Sequence, residues 1–273
     1  GSESSSTRSK STGKDSMMRF CSTAASVIPA TILAAFAMLF AFSAQALNDY
    51  GDFDGTTVTF ESVRDQNGLY GSPTVSADSL DFDPSTFESL CPGGATCPPS
   101  PNIVDDTLNM FIQAKPGYMI DTLVLTEAGD TTLSSFLDSI AATSVAATVF
   151  IDVFEIDGIG INQFDFQTQM IFTNGGEFET FDEGAGTYLW TGFLAVDLDA
   201  VLADNGITEG HATRIGLSLN NTLTAFAQDG ASARIEKKDI DGLAITIVPE
   251  PGTALLFGLG LAGLASARRS RMD

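Results

Sequence analysis

Three closely spaced aspartates offer oxygen ligands for a hard cation. Asp49, Asp52 and Asp54 lie in residues 48–55, together with an asparagine and two glycines. Ca²⁺ prefers such oxygen ligands, and extracellular modules bind it weakly. The segment lacks the distal glutamate that completes an EF-hand. The pattern therefore leaves two interpretations: a weak calcium site in an opening loop, or ordinary solvated acidic turns.

Other residues that could act in catalysis or metal binding are few. The one histidine, His211, follows Gly210 in a predicted loop, and the sequence has no G-x-S-x-G motif. A histidine in such a loop is typical of a solvated polar residue rather than of a general base. Residues 152–157 and 197–199 are thinner calcium candidates. A glycosidase needs two suitably spaced carboxylates, and no pair is singled out, so we expect no enzyme.

Cys91 and Cys97 bracket a short segment rich in glycine and proline. In an exported protein such a pair predicts a local disulfide. A zinc site would need further ligands, and His211 is the only imidazole available. We therefore predict a Cys91–Cys97 disulfide rather than a metal site.

Aromatic side chains could stack on sugar rings, as they do in jelly-roll lectin modules. The four candidates are Tyr50, Tyr70, Tyr118 and Trp190. Trp190 shares a strand face with Leu194 and Val196, which indicates a core position instead.

Alternation of apolar and polar residues dominates the middle of the chain, for example at Leu108, Met110, Ile112 and Ala114. Such alternation, bounded by turn residues, is typical of half-buried strands. Two short helices are predicted, over Ser134–Ala142 and over Asp197–Asn205. Eight or more strands with little helix predict an all-β fold, an antiparallel β-sandwich of jelly-roll type, over residues 47–248.

Charge is unevenly distributed along the 273 residues, whose net charge is −22. Residues 47–248 hold 31 acidic and 6 basic side chains, a net charge of −25, whereas the two ends together carry +3. An acidic body argues against nucleic acid as a partner, because phosphate contacts need clustered Lys and Arg. Basic, apolar ends indicate targeting segments.

The N-terminal part has the features of a signal peptide. Residues 1–16 are polar and serine-rich, and we interpret them as a disordered leader or tag that precedes a start at Met17 or Met18. Residues 17–46 then form an export signal with an apolar centre, and Ala44 and Ala46 fit the small-residue rule of signal peptidase. We expect cleavage before Leu47, the alternative being a retained membrane anchor.

The C-terminal part has three features in a fixed order. Pro249-Glu250-Pro251 is followed by the uncharged residues 252–267 and then by Arg268, Arg269 and Arg271. The uncharged segment predicts a short transmembrane helix, with the arginines on the cytoplasmic side and the body outside.

This order of features resembles the PEP-CTERM sorting signal of exported proteins in Gram-negative bacteria. The resemblance implies processing by an exosortase, a membrane transpeptidase that cleaves at or near Pro249-Glu250-Pro251. The apolar segment would then hold the protein at the inner membrane only until it is processed. A permanent tail anchor is the alternative.

From these features we expect an exported cell-surface or extracellular-matrix protein. Its expected role is structural or adhesive, in an exopolysaccharide or biofilm envelope. Expected partners are signal peptidase, exosortase and extracellular polysaccharide. A calcium-dependent carbohydrate-binding module is the first alternative, and an extracellular hydrolase is the second.

Overall fold

The computed structural model of the protein describes residues 47–93, 97, 100–136, 139–238 and 242–248. The predicted signal peptide with Ala44 and Ala46, the Pro249-Glu250-Pro251 motif, the predicted C-terminal helix and its arginines lie outside these residues. Within the described part, no helix is both long and apolar enough to cross a bilayer.

The described residues form fifteen strands, one α-helix and one 3-10 turn. The strands are β1 (Asn48–Asp54), β2 (Val58–Asp65), β3 (Thr74–Ser76), β4 (Ser79–Phe82), β5 (Glu88–Cys91), β6 (Asn102–Ala114), β7 (Thr122–Ser135), β8 (Ala141–Ile156), β9 (Ile159–Gln169), β10 (Ile171–Phe172), β11 (Glu177–Glu179), β12 (Gly186–Asp197), β13 (Ala212–Ala227), β14 (Ala231–Lys237) and β15 (Leu243–Val248). The helix α1 spans Leu198–Asp204, and the 3-10 turn spans Thr173–Gly176.

The strands pair into two antiparallel sheets. Sheet I has the order β1-β2-β6-β13-β8-β11, and β9 also pairs with β8. Sheet II has the order β10-β12-β7-β15-β4-β3, and it is extended by β14 on β7 and by β5 on β14. The predicted all-β antiparallel fold is confirmed at this level, whereas the jelly-roll subtype stays a prediction.

The core lies between the two sheets and follows the predicted alternation. Leu108, Met110 and Ile112 of β6 point inward, and so do Leu123 and Leu125 of β7. Alternate side chains of a strand point to opposite faces, so each sheet presents one apolar face to the other.

Gly129 of β7 makes room for the largest core side chain. It pairs with Trp190 of β12, which is buried as predicted. A Cβ at position 129 would lie 2.0 Å from Trp190 Cζ2 and 2.2 Å from the Glu236 carbonyl oxygen. The indole therefore occupies the space that any other residue at 129 would need.

One helix prediction is confirmed and the other is wrong. The helix α1 begins after Asp197, whose side chain accepts a hydrogen bond from the Ala200 N–H at 3.0 Å. The described residues of this range form no helix: β7 continues through Ser135, and β8 begins at Ala141. The apolar residues there have helical spacing, but pairing with neighbouring strands prevails at both ends, and Phe136 is exposed.

Cys91, at the end of β5, forms the predicted disulfide with Cys97. Their Cα atoms are 5.7 Å apart. The bond closes the short loop that follows the edge strand β5. Within the described part of sheet II, β5 pairs with β14 alone.

Candidate functional site

One end of the sandwich gathers three aspartates around the histidine. Asp121 directly precedes β7, and Asp157 lies in the turn between β8 and β9. Asp199 lies in the first turn of α1, and His211 directly precedes β13. Asp121 and Asp157 are far in sequence from Asp199 and His211, and the strand pairing brings all four residues to the same end of the sandwich.

Backbone hydrogen bonds fix these segments relative to one another. The Leu198 N–H donates to the Asp121 carbonyl at 2.8 Å, and the Ile120 N–H donates to the Ala212 carbonyl at 2.8 Å. The second bond joins the start of β7 in sheet II to the start of β13 in sheet I. Asp121 and His211 therefore lie next to a backbone hydrogen bond that joins the two sheets.

The imidazole of His211 faces two carboxylates. Its Nδ1 atom lies 3.1 Å from both oxygens of Asp199 and 3.8 Å from Oδ1 of Asp121. One ligand atom from each of the three residues falls within 4.8 Å of the other two. Asp157 contacts the same histidine differently, because its Oδ1 accepts the His211 backbone N–H at 3.1 Å.

The cluster is graded from buried to accessible. The Asp121 side chain is 8% exposed, whereas those of His211 and Asp199 are 36% and 38% exposed. A cavity of about 360 Å³ opens beside the two half-buried residues, and Glu209 also lines it. Small solutes can therefore reach the His211 and Asp199 side of the cluster.

Electrostatics raise the pKa of His211 above its usual value. Burial lowers this pKa, but the hydrogen bond and charge of Asp199 act the other way, followed by the charges of Asp121 and Asp157. The protonated imidazole then forms an ion pair with Asp199. The neutral imidazole instead offers Nδ1 as a nitrogen ligand beside two carboxylates, a donor set found in metal sites.

The predicted calcium ligands near the start of the body lie elsewhere. The opening-loop interpretation is wrong, because residues 48–54 form the strand β1. Asp49 accepts the Gly51 N–H at 2.9 Å, Asp52 accepts the Ser62 N–H at 2.7 Å, and Asp54 pairs with Lys115 at 2.6 Å. Calcium binding by these aspartates stays a prediction, and the structure gives each of them a local partner.

The thinner candidate segments contribute half of the cluster. Residues 152–157 supply Asp157, and residues 197–199 supply Asp199. Sequence reasoning missed Asp121 and treated His211 as a solvated loop residue. The only sequence signal for the site is that the single histidine adjoins the start of a strand. This signal is not sufficient, because the sequence alone does not show which strands pair with that one.

The four aromatic candidates for sugar stacking fall into different environments. Tyr70 and Trp190 are fully buried, so they cannot stack on an external sugar. Tyr50 is half-buried and donates a hydrogen bond to Asp65 at 3.0 Å. Tyr118 is 48% exposed and lines a cavity of about 490 Å³ together with Asp157.

Comparison with known proteins identifies the C-terminal segment. A family model described as the PEP-CTERM protein-sorting motif matches residues 248–270, which confirms that the chain carries the sorting signal of exosortase substrates. No curated protein matches the sequence. The chain is similar to a solved structure described as "Structure of infectious bursal disease virus Gt strain", with 10% identity over 83% of this chain and 72% of that chain. The TM-score of 0.12 is too low to support any argument about fold or function.

Proposed function

Because the chain carries an exosortase sorting signal, we propose that it is a non-catalytic structural or adhesive component of an exopolysaccharide or biofilm envelope. The motif supports export and exosortase processing. The role of the body rests on a separate observation, an exposed apolar patch on the outer face of a strongly acidic domain.

This apolar patch lies on the outer surface of sheet II and is centred on β10 and β12. Its most exposed apolar residues are Ile171, Leu189 and Phe193, which are 77%, 71% and 53% exposed. Ile171 pairs directly with Phe193 across β10 and β12. The outward neighbours nearest to Phe193 are uncharged, namely Thr126, Ala128 and Val124 of β7, Thr191 and Ala195 of β12, and Ala244, Thr246 and Val248 of β15. Asp130 also points outward, opposite Leu189, and it pairs with Lys238.

Charge makes a second copy of the chain the occupant that fits this apolar patch. With a net charge of −25 over residues 47–248, two bodies repel each other over most of their surfaces. Repulsion is weakest where two patches with few charges meet, and exposed apolar patches of this kind mark association sites. Self-association through this face would concentrate the protein at the surface to which the sorting signal directs it.

The test compares the association of the purified wild-type protein with that of Phe193→Asp by sedimentation velocity over a range of protein concentrations. We expect wild type to associate reversibly and Phe193→Asp to remain monomeric, because the new charge faces its own copy. Phe150→Asp is the matched control, since Phe150 is an exposed phenylalanine on the outer face of sheet I. In producing cells, the Phe193→Asp protein should be exported normally but retained less in the matrix. A monomeric wild-type protein, or unchanged association of Phe193→Asp, would contradict the proposal.

Carbohydrate binding is a second candidate function, supported by the cavity beside Tyr118. Gln113, Lys115, Asp157 and Thr213 also line this cavity, so an exposed aromatic ring adjoins several hydrogen-bonding groups. That combination suits a sugar ring. Binding to a glycan array that is lost in Tyr118→Ala, but not in Phe193→Asp, would support this candidate, and a wild-type protein that binds no glycan would reject it.

A further inference from the structure

We propose that Asp121, Asp199 and His211 form a binding site for a first-row transition-metal dication such as Zn²⁺. The inference is independent of the proposed function, because it depends on the geometry at one end of the sandwich and not on the apolar patch. It assigns to the single histidine a role as metal ligand, with Asp157 as the residue that orients it.

The distances between the donor atoms are close to those a small dication requires. Zn²⁺ binds nitrogen and oxygen at about 2.1 Å, so neighbouring ligand atoms in a tetrahedral site are about 3.4 Å apart. The Nδ1 atom of His211 lies 3.1 Å from Asp199 and 3.8 Å from Asp121, and all three donors lie within 4.8 Å of each other. Small rotations of the half-buried Asp199 side chain would close the site around an ion.

The balance of charge at the cluster favours a cation. Asp121, Asp157 and Asp199 all act on one imidazole, which carries at most a single positive charge. Asp121 is largely buried, and a buried carboxylate is stabilised by a nearby cation. A dication between Asp121, Asp199 and His211 would offset the negative charge more fully than the imidazolium does.

The ligand types indicate which metal would bind. An imidazole nitrogen with carboxylate oxygens suits Zn²⁺, Mn²⁺ and related ions, whereas Ca²⁺ prefers a shell of oxygens alone. Three protein ligands leave at least one coordination position open. That position would face the cavity lined by Asp199, Glu209 and His211.

The backbone around His211 already holds the ring in place. Asp157 accepts the His211 backbone N–H, and the Asp157 N–H donates to the His211 carbonyl at 3.0 Å. This reciprocal pair fixes the residue at the start of β13. Since Asp121 and Asp199 adjoin strands of sheet II while His211 adjoins sheet I, a bound metal would join the two sheets.

A single histidine makes the test direct. The sequence contains one His, so the imidazole resonances in the NMR spectrum of the protein belong to His211. The protein is purified from producing cells with its disulfide intact, stripped with EDTA and titrated with Zn²⁺ at neutral pH. We expect the His211 resonances to shift in step with a one-to-one binding isotherm by calorimetry. Ca²⁺ at the same concentrations should leave these resonances in place.

Variants separate this site from weak binding elsewhere on the acidic surface. His211→Gln and Asp199→Asn should each lower Zn²⁺ affinity at least about tenfold, since each removes a ligand. Asp204→Asn is the matched control, because Asp204 is an exposed aspartate of the same helix outside the cluster. Circular dichroism shows whether each variant is folded. If His211→Gln does not fold, the Zn²⁺ affinity of Asp199→Asn decides whether the cluster binds the metal.

Protons compete with the metal for Nδ1, so Zn²⁺ affinity should fall as the pH drops below the pKa of His211. Imidazole resonances that do not respond to Zn²⁺, or a Zn²⁺ affinity that is unchanged in both ligand variants, would overturn the proposal. The cluster would then be an ion pair only.

Discussion

Lys237 Nζ lies 2.8 Å from Glu127 Oε2, and both side chains are completely buried between the sheets. Glu127 belongs to β7 and Lys237 to β14, while Asn221 of β13 in the opposite sheet donates a hydrogen bond to the other Glu127 oxygen. Three aromatic rings surround the ammonium group at 5.4 to 5.9 Å from their centroids, those of Tyr70, Phe87 and Trp190. Burial lowers the pKa of Lys237, and the charge of Glu127 opposes that effect.

Removing one member of this ion pair should destabilise the fold strongly. We expect Lys237→Met to lower the free energy of unfolding by about 3–5 kcal/mol, because it leaves a buried carboxylate without its cation. The double variant Lys237→Met/Glu127→Gln removes both charges and keeps an acceptor for Asn221, so it should lose less than Lys237→Met alone. Urea unfolding measures each value, and additive losses in the double-mutant cycle would contradict the coupling.

Gly129 should tolerate no larger residue. We expect Gly129→Ala to lower the free energy of unfolding by about 1–3 kcal/mol, because the added methyl group would overlap Trp190 and the Glu236 carbonyl. Gly160→Ala is the matched control, since a Cβ at Gly160 meets nothing within 4 Å. Equal thermal unfolding midpoints for the two variants would show that β7 can move away from the indole.

The stability of the metal-free protein should depend on the protonation of His211. The pKa of this histidine is raised in the folded state, so folding favours its protonated form. The resulting stabilisation is fully present below the unfolded pKa of about 6.5, and it is lost as the pH rises through the higher folded pKa. We therefore expect the free energy of unfolding, measured in EDTA, to decline across this interval in wild type but not in His211→Gln. Parallel pH profiles for the two proteins would contradict this.

Processing at the sorting signal should remove the basic end of the chain. We expect protein recovered from the cell surface to lack Arg268–Asp273 by intact-mass analysis, because cleavage at or near Pro249-Glu250-Pro251 separates this segment from the body. Replacing Pro249, Glu250 and Pro251 with alanine should leave Arg268–Asp273 attached to the body. The body ends its last described strand at Val248, so the alanine variant should keep the same thermal unfolding midpoint. Intact Arg268–Asp273 on wild-type surface protein would refute exosortase processing.

Local pattern was sufficient to predict the strands and their inward faces. Leu108, Met110 and Ile112 are buried, as predicted, because they all lie on the face of β6 that meets the core. The alternation of apolar and polar residues within this one strand is sufficient to identify that face. The helix predicted at Ser134–Ala142 was wrong because pairing of β7 and β8 with distant strands overrides local spacing. The cluster at His211 depends on strand order, which places Asp121 beside a residue 90 positions later in the chain. No local pattern carries that information.

The position of β15 bears on how the protein would withstand force. This strand lies between β7 and β4, and it pairs with β7 along its whole length from Leu243 to Val248. If the processed body is attached to the surface through the residue that follows this strand, a pull from outside acts along the strand axis. Its hydrogen bonds run across that axis, so they would be loaded in shear together rather than opened one at a time. Such a strand would resist unravelling when flow drags on the attached body.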